Sequence, residues 1–410
     1  MSREQPNVLQ KTPCTRRVPF NALIFIVLLL LGDSARAQTY TVLHAFTGSD
    51  GASPQAVIRD SAGTLYGTAA TGGAYGSGTV FKLDPSGALT VLHAFGSVTN
   101  DGIGPSAPLT LDGAGHLVST TYTGGTFALG TVFWLTPQGK YAPPHSFSGI
   151  DGCHPVAALT RDEGNNLYGT TNCGGSYGYG TVFKLDRAAN VMVLHSFTDN
   201  ADGSYPSGGL VRDSDGNLYG TTSTGGKPKL CQGFGCGVVF KLDPSSNLTV
   251  LYTFRGAADG SFPDASLIRD AAGNLYGTTL GGGNKACNCG VVFKLDPSGN
   301  EAVLHRFTGG PDGANPRAGL VRDGAGNLFG TTQLGGDTTC LQGGCGVVFK
   351  LDRSGHETIL HSFTGGTDGA ESYGALFRDR GGNLYGATFI GGNAACNAPY
   401  GCGVLFKIAF

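Results

Sequence analysis

Charge is scarce in this sequence. Asp, Glu, Lys and Arg make up 14% of its 410 residues, with 29 acidic against 27 basic side chains. Nucleic-acid binding requires a basic field that displaces counterions from phosphate, and no such field exists here. Long apolar runs are equally scarce. Ala22–Leu31 is the one continuous stretch; as a helix it would cover about 15 Å, half of a bilayer's roughly 30 Å hydrocarbon core. No second run follows it, so no membrane span is expected in the mature chain.

That stretch has the surroundings of a secretory signal, with Arg16 and Arg17 ahead of it and Ala35-Arg36-Ala37 as a small-x-small cleavage site behind. Residues 1–37 are therefore read as a signal peptide cleaved after Ala37, and residues 38–410 as a single domain that is secreted, extracellular or periplasmic. The Leu-rich core suits the general secretory route better than the twin-arginine route that Arg16-Arg17 would suggest. Removing the leader takes away five basic and two acidic side chains, leaving 22 and 27 and a net charge of −5.

What is abundant is glycine, 70 residues of it, and repetition. One phrase recurs seven times, typified by Ser266-Leu-Ile-Arg-Asp270, Gly273-Asn-Leu-Tyr-Gly-Thr-Thr279, Gly290-Val-Val-Phe-Lys-Leu-Asp296, Ala302-Val-Leu-His-Arg-Phe307 and then Asp312-Gly313 with Pro316. The Leu of the second block falls at Leu65, Leu117, Leu167, Leu218, Leu275, Leu328 and Leu384, a period of 50 to 57 residues, in the range of propellers and solenoids. The four apolar blocks of each unit are strand-length, rich in Val, Ile, Leu, Tyr and Phe, and separated by Gly, Asp, Asn and Pro. In the fifth unit they predict strand a over 266–270, b over 274–279, c over 290–296 and d over 302–307. The a-to-b turn, Asp270-Ala-Ala-Gly273-Asn274, puts Asp first and Gly where positive φ is needed.

The two ends choose between a closed ring and an open stack. Residues 41–46 read as a strand d without its a, b and c, and residues 403–409 as a strand c without its d. Joined, they complete a seventh blade and leave no free sheet edge. The expected fold is an all-β, seven-bladed β-propeller of four-stranded blades.

The unit resembles the tandem repeat of the secreted bacterial choice-of-anchor GloVer (Gloeo/Verruco) proteins, marked by Gly-Asn-Leu-Tyr-Gly-Thr-Thr, Gly-Gly and Gly-Thr-Val-Phe-Lys-Leu. These motifs stand at 166–171 (with Asn165 in place of the first Gly), Gly174-Gly175 and 180–185. More distantly, the Asp-x-x-Gly-Asn-Leu-Tyr hairpin is similar to that of NHL-type propellers. The resemblance implies an extracellular protein without an established activity, and it transfers no catalytic residue. Members often carry a C-terminal sorting tail, which the sequence up to Phe410 does not show.

Ten cysteines remain outside the leader, an even number in an oxidising compartment. Cys236, Cys289, Cys345 and Cys402 each precede the Gly that opens strand c, with Cys231, Cys287, Cys340 and Cys396 a few residues upstream. Local disulfides are expected there, and Cys153 with Cys173 as a fifth pair. Cys287-Asn288-Cys289 is the best zinc alternative, but it lacks a second ligand pair, and no metal or cofactor is expected.

Propeller chemistry has recognisable requirements. A single Trp, Trp134, excludes the repeated Trp docking of quinone-dependent dehydrogenases, and no Ser-x-Asp-x-Gly-x-x-Trp box of sialidases occurs. Seven Asp-Gly steps in the d-to-a loops, beginning at Asp50, could suggest calcium, yet one Asp per blade cannot converge on one ion; they read as turn formers. His44, His93, His145, His195, His305 and His361 on strand d read as structural, hydrogen-bonded between blades. Arg59, Arg161, Arg212, Arg269, Arg322 and Arg378 end strand a; they would either collar the channel mouth on the turn face and hold an anion, or pair with the Asp beside them or in the adjacent blade.

Binding is better sought where the copies differ. The residue before the loop proline reads Ser53, Gly104, His154, Tyr205, Phe262 and Asn315, with Glu371 in the copy that lost its Pro. Tyr75, Phe127, Tyr177, Lys227, Lys229, Phe234 and Tyr400 extend the surface from the b-to-c loops. Aromatic and polar groups around a shallow axial cavity suit a carbohydrate, a peptide or a cell-surface polymer. The leading expectation is thus a monomeric secreted binding module. The alternatives are an extracellular hydrolase or lyase with an axial site, for which His154 is the best lone acid/base candidate, and a structural or adhesion protein without a specific ligand; fold alone decides among none of them.

Overall fold

The computed structural model describes residues 38–112, 115–340 and 343–410; the expected leader lies outside them. Seven four-stranded antiparallel sheets follow one another along residues 38–410, each ordered a-b-c-d, to make a seven-bladed β-propeller. Six blades are contiguous in sequence. In the seventh, Thr39–Ala45 supplies strand d to Val404–Ala409, with Thr41 opposite Lys407 and Thr39 opposite Ala409. No helix among the described residues is long and apolar enough to cross a membrane.

The predicted strand a is shortened. In blade five only Ile268–Arg269 pairs with Leu275–Thr279, whereas blade one keeps Ala52–Arg59. Near the axis the chain bonds sideways instead. The first Thr of the Gly-Thr-Thr block donates its hydroxyl to a backbone carbonyl of the next blade, Thr170 to Gly208, Thr221 to Ala265 and Thr278 to Ala318, at 3.2–3.3 Å.

Fourteen phenylalanines explain why the repeat tolerates little drift. Those on strand c (Phe81, Phe133, Phe183, Phe240, Phe293, Phe349, Phe406) and those ending strand d (Phe46, Phe95, Phe147, Phe197, Phe254, Phe307, Phe363) are at most 1% exposed. Each strand-d ring meets the strand-c ring of the following blade edge to face, at centroid distances of 5.1–5.5 Å. Such a contact contributes about 1 kcal/mol beyond its buried area. The glycine of Leu-Tyr-Gly-Thr-Thr makes room for it: a Cβ on Gly277 would lie 2.7 Å from the Phe293 ζ carbon.

The histidines of strand d do not bridge blades through hydrogen bonds. Five of the six bond the Asp of the loop that follows, as in His44 with Asp50 (2.8 Å), His145 with Asp151 (2.9 Å) and His361 with Asp368 (3.0 Å), and Tyr252 takes the same role toward Asp259 (2.9 Å), while His305 stands 3.7 Å from Asp312. The same carboxylates accept backbone N–H groups of their own loop, from Thr47 and Ser148 for example. In six of the seven blades one hydrogen-bonded residue pair therefore fixes the chain's exit from strand d toward the axis.

Candidate functional site: the axial mouth

The residue before the loop proline has a backbone role common to all blades. Ser53, Gly104, His154, Tyr205, Phe262, Asn315 and Glu371 all sit at φ between +49° and +67°, a region that costs an L-residue about 1–2 kcal/mol. Their N–H groups reach back to the preceding blade, bonding Cys402, Ser77, Leu129, Tyr179, Cys236, Cys289 and Cys345 carbonyls at 2.7–3.0 Å. These inter-blade bonds offset the strain and hold the ring together on this face. The side chains diverge. His154 stacks on Tyr122 with its Nδ1 3.3 Å from Cys173 Sγ, Tyr205 meets Tyr179 edge-on, and Asn315 donates to the Leu280 carbonyl at 2.8 Å. Of the seven, Glu371 is the one tied to the polar groups that face the axis.

Those groups stand one residue beyond the proline. Gln55, Ser106, Val156, Ser207, Asp264, Arg317 and Tyr373, one from each blade, line an axial cavity of about 100 Å³. On one side of the mouth a hydrogen-bonded arc runs from blade three to blade seven. Asn172 donates to Ser207 (3.2 Å), Ser207 pairs with Ser223 (3.1 Å), and Ser223 donates to Asp264. Arg317 Nη1 faces Asp264 Oδ2 at 3.9 Å and its Nε donates to Gln333 (2.7 Å). Gln333 donates to the Tyr373 hydroxyl (2.9 Å), which donates to Glu371. Burial pushes the Asp264 carboxyl above its ordinary range, against the Ser223 hydroxyl and the Arg317 charge, which pull it down. Burial and the Glu371 charge likewise raise the Tyr373 phenol. The opposite side of the mouth, Gln55, Ser106 and Val156, carries no charge.

The model of the Gloeobacter/Verrucomicrobia repeat matches residues 33–234 and 231–410. The chain belongs to this repeat family. The residues that recur in every copy build the blades, whereas those of the axial arc differ from copy to copy. No curated protein matches it in sequence. Among solved structures it is similar to the extracellular domains of a one-component system and of a hybrid two-component system from B. thetaiotaomicron, at 12% and 14% identity and TM-scores of 0.58 and 0.54. The alignments cover 89% and 90% of this chain but 39% and 41% of those chains, so it spans about two fifths of their length.

The remaining candidates distribute around the ring. The structure joins Cys153–Cys173, Cys231–Cys236, Cys287–Cys289, Cys340–Cys345 and Cys396–Cys402 as disulfides. The Cys153/His154/Cys173 cluster therefore has no free thiolate to offer a metal. At the other end of the channel, Arg59 pairs with Asp379 of the neighbouring blade (3.4 Å) and covers Tyr385, while Arg269, Arg322 and Arg378 cover Tyr219, Tyr276 and Phe329. Arg161 instead bonds Asn165 within its own turn (2.6 Å), and Arg212 acts on Asp162 of the adjacent blade. Arg269, Arg322 and Arg378 still border one open depression, the part of the collar that faces a common space.

On the loop face, Tyr75, Phe127, Tyr177, Phe234 and Tyr400 are 55–67% exposed, and Lys227 and Lys229 flank a shallow hollow. A larger depression, about 740 Å³, lies between blades two and three and is lined by Trp134, His116, Lys140 and Arg187. At the outer rim, two strand-d carboxylates are perturbed: burial and the facing Asp259 push Glu301 up to about 7, and burial with the facing Asp312 pushes Glu357 up to about 8.

Sequence reasoning chose the residue before the proline and missed Asp264, Arg317, Tyr373 and Gln333. The signal was present one step along: the position after the proline reads Gln, Ser, Val, Ser, Asp, Arg, Tyr around the ring.

Proposed function

We propose that this protein is an extracellular recognition module whose loop-face axial mouth binds a hydroxyl-rich polymer, a glycan in the first place. The arc from Asn172 to Glu371 carries this reading, because it gathers two carboxylates, a guanidinium, a phenol and two amide side chains from several blades onto one opening. Sugars are held by such planar, charge-assisted donors and acceptors, with aromatic faces alongside. A cavity of about 100 Å³ is smaller than the roughly 300 Å³ needed to enclose a whole small ligand. The ligand is therefore read as a chain that lies over the face, inserts one terminal group at the axis and rests on the exposed Tyr and Phe tips of the b-to-c loops. The disulfides and the extracellular setting of the two similar folds support a location outside the cytoplasm.

The test is a glycan array with the purified protein, Arg317→Ala and Trp134→Ala. Selective binding that falls at least tenfold in Arg317→Ala and persists in Trp134→Ala is expected. Absence of any bound glycan, or loss in Trp134→Ala with retention in Arg317→Ala, overturns the assignment and in the second case moves binding to the depression between blades two and three.

A further inference from the structure

Where strand d of blade five meets the start of strand d in blade six, the repeat departs from itself. The residue that pairs with the Leu of the Phe-Lys-Leu block of strand c (Ile408 in blade seven) is Leu89, Tyr141, Val191, Leu248 and Tyr40 in five blades, but Glu301 and Glu357 in blades five and six. In the preceding blade this position faces the His–Asp pair that fixes the exit of strand d, as the stacking of Tyr141 on His93 and of Tyr40 on His361 makes plain. Glu301 faces Tyr252 and Asp259, with Arg306 and Arg255 near enough to pull its carboxyl down. Glu357 faces His305 and Asp312, and no lysine or arginine pairs with any of these three among the described residues.

The pair itself has opened. His–Asp contacts in the five other histidine-bearing blades measure 2.8–3.1 Å. His305 Nε2 instead lies 3.7 Å from Asp312 Oδ2 and 3.7 Å from Glu357 Oε2, and ligand atoms of all three fall within 4.8 Å of one another. His305 Nε2 and Glu357 Oε1 are buried without a hydrogen-bond partner. Asp312 is held in place from behind by the Thr308 N–H (2.8 Å) and hydroxyl (2.6 Å). Metal–N and metal–O bonds of about 2.1 Å separate tetrahedral ligand atoms by roughly 3.4 Å, so small side-chain movements would close this triad on an ion. Two carboxylates and one imidazole suit a divalent transition ion, and are too few oxygens for calcium.

We propose that His305, Asp312 and Glu357 bind one divalent transition-metal ion, Zn²⁺ or Mn²⁺, that clamps blade five to blade six at the rim. The Thr308 N–H and hydroxyl already bond the Asp312 carboxylate and would orient it toward a bound ion.

Metal-free protein titrated separately with ZnCl₂ and MnCl₂ in a calorimeter, together with thermal unfolding, provides the test. One ion per chain and a raised Tm are expected. Glu357→Leu and His305→Tyr each install what other blades carry at the same station (Leu89 and Tyr252), so either suffices to test the site in a folded ring. Both should weaken binding at least 100-fold and abolish the rise in Tm, while Glu301→Leu binds like the parent. Failure of the parent to show single-site binding of either ion, equal affinity in Glu357→Leu and His305→Tyr, or equal loss in Glu301→Leu would overturn the proposal.

Discussion

Arg317 Nη1 stands 3.9 Å from Asp264 Oδ2, with 42% and 23% of the two side chains exposed, so that opposite charges from neighbouring blades face each other at the axial mouth. Burial already lifts the Asp264 carboxyl, and Arg317 partly counters that. Removing the guanidinium with Arg317→Ala should move the Asp264 titration further upward, which a carboxyl carbon NMR titration would register. An unchanged or lowered midpoint would mean that the pair is not electrostatically coupled.

Phe46 belongs to the strand that closes the ring, yet it packs on Phe81 with the same edge-to-face geometry that joins Phe254 to Phe293. Phe46→Ala and Phe254→Ala should therefore cost similar amounts, about 3–5 kcal/mol each, in urea unfolding. A closing joint weaker than the internal ones would show up as a much smaller loss in Phe46→Ala.

His93 and Asp101 form the most enclosed of the His–Asp pairs, with 9% and 2% of their side chains exposed against 21% and 17% for His195 and Asp202. Truncating His93 strands a buried carboxylate, so His93→Ala should cost about 3 kcal/mol and His195→Ala about 1 kcal/mol. Equal losses by chemical denaturation would argue that burial does not set the strength of this link.

Glu301 has a folded-state pKa of about 7, raised by burial first and by the Asp259 charge second. The native protein thus keeps a proton that the unfolded chain releases near pH 4.5, and its contribution to stability is full below that value and declines as pH climbs to about 7. The slope is at most about 1.4 kcal/mol per pH unit for one group. Glu301→Gln, which cannot ionise, should flatten stability measured between pH 4.5 and 7; a slope unchanged by the substitution would remove Glu301 as its source.

The Cys153–Cys173 bridge closes a 20-residue separation and Cys231–Cys236 one of five. Chain-entropy reasoning assigns about 3 kcal/mol to the first and about 2 kcal/mol to the second. Double Ser replacements at each pair, compared by urea midpoints, should rank in that order.

Ring closure was legible because Thr39–Ala45 and Val404–Ala409 each lack what the other has, and the Phe and Thr blocks announced themselves by recurring. The axial arc was not legible for a geometric reason. A left-handed residue such as Tyr205 or Glu371 breaks strand alternation, so the parity that tells which side chain faces the axis is lost just where it is needed. Asp264, Arg317 and Tyr373 belong to three successive blades and stand more than fifty residues apart in sequence, and only the turning of the ring brings them together. The His–Asp link was half visible: both residues stood in every unit save one, but their separation of six to eight positions matches no helix or strand period. Tyr252 with Asp259 keeps the link where His is lost.

Thr39 lies directly opposite Ala409, so polypeptide extended from either end would emerge at a single spot on the circumference. Segments joined at the two ends would then hold the domain by a single point of its edge.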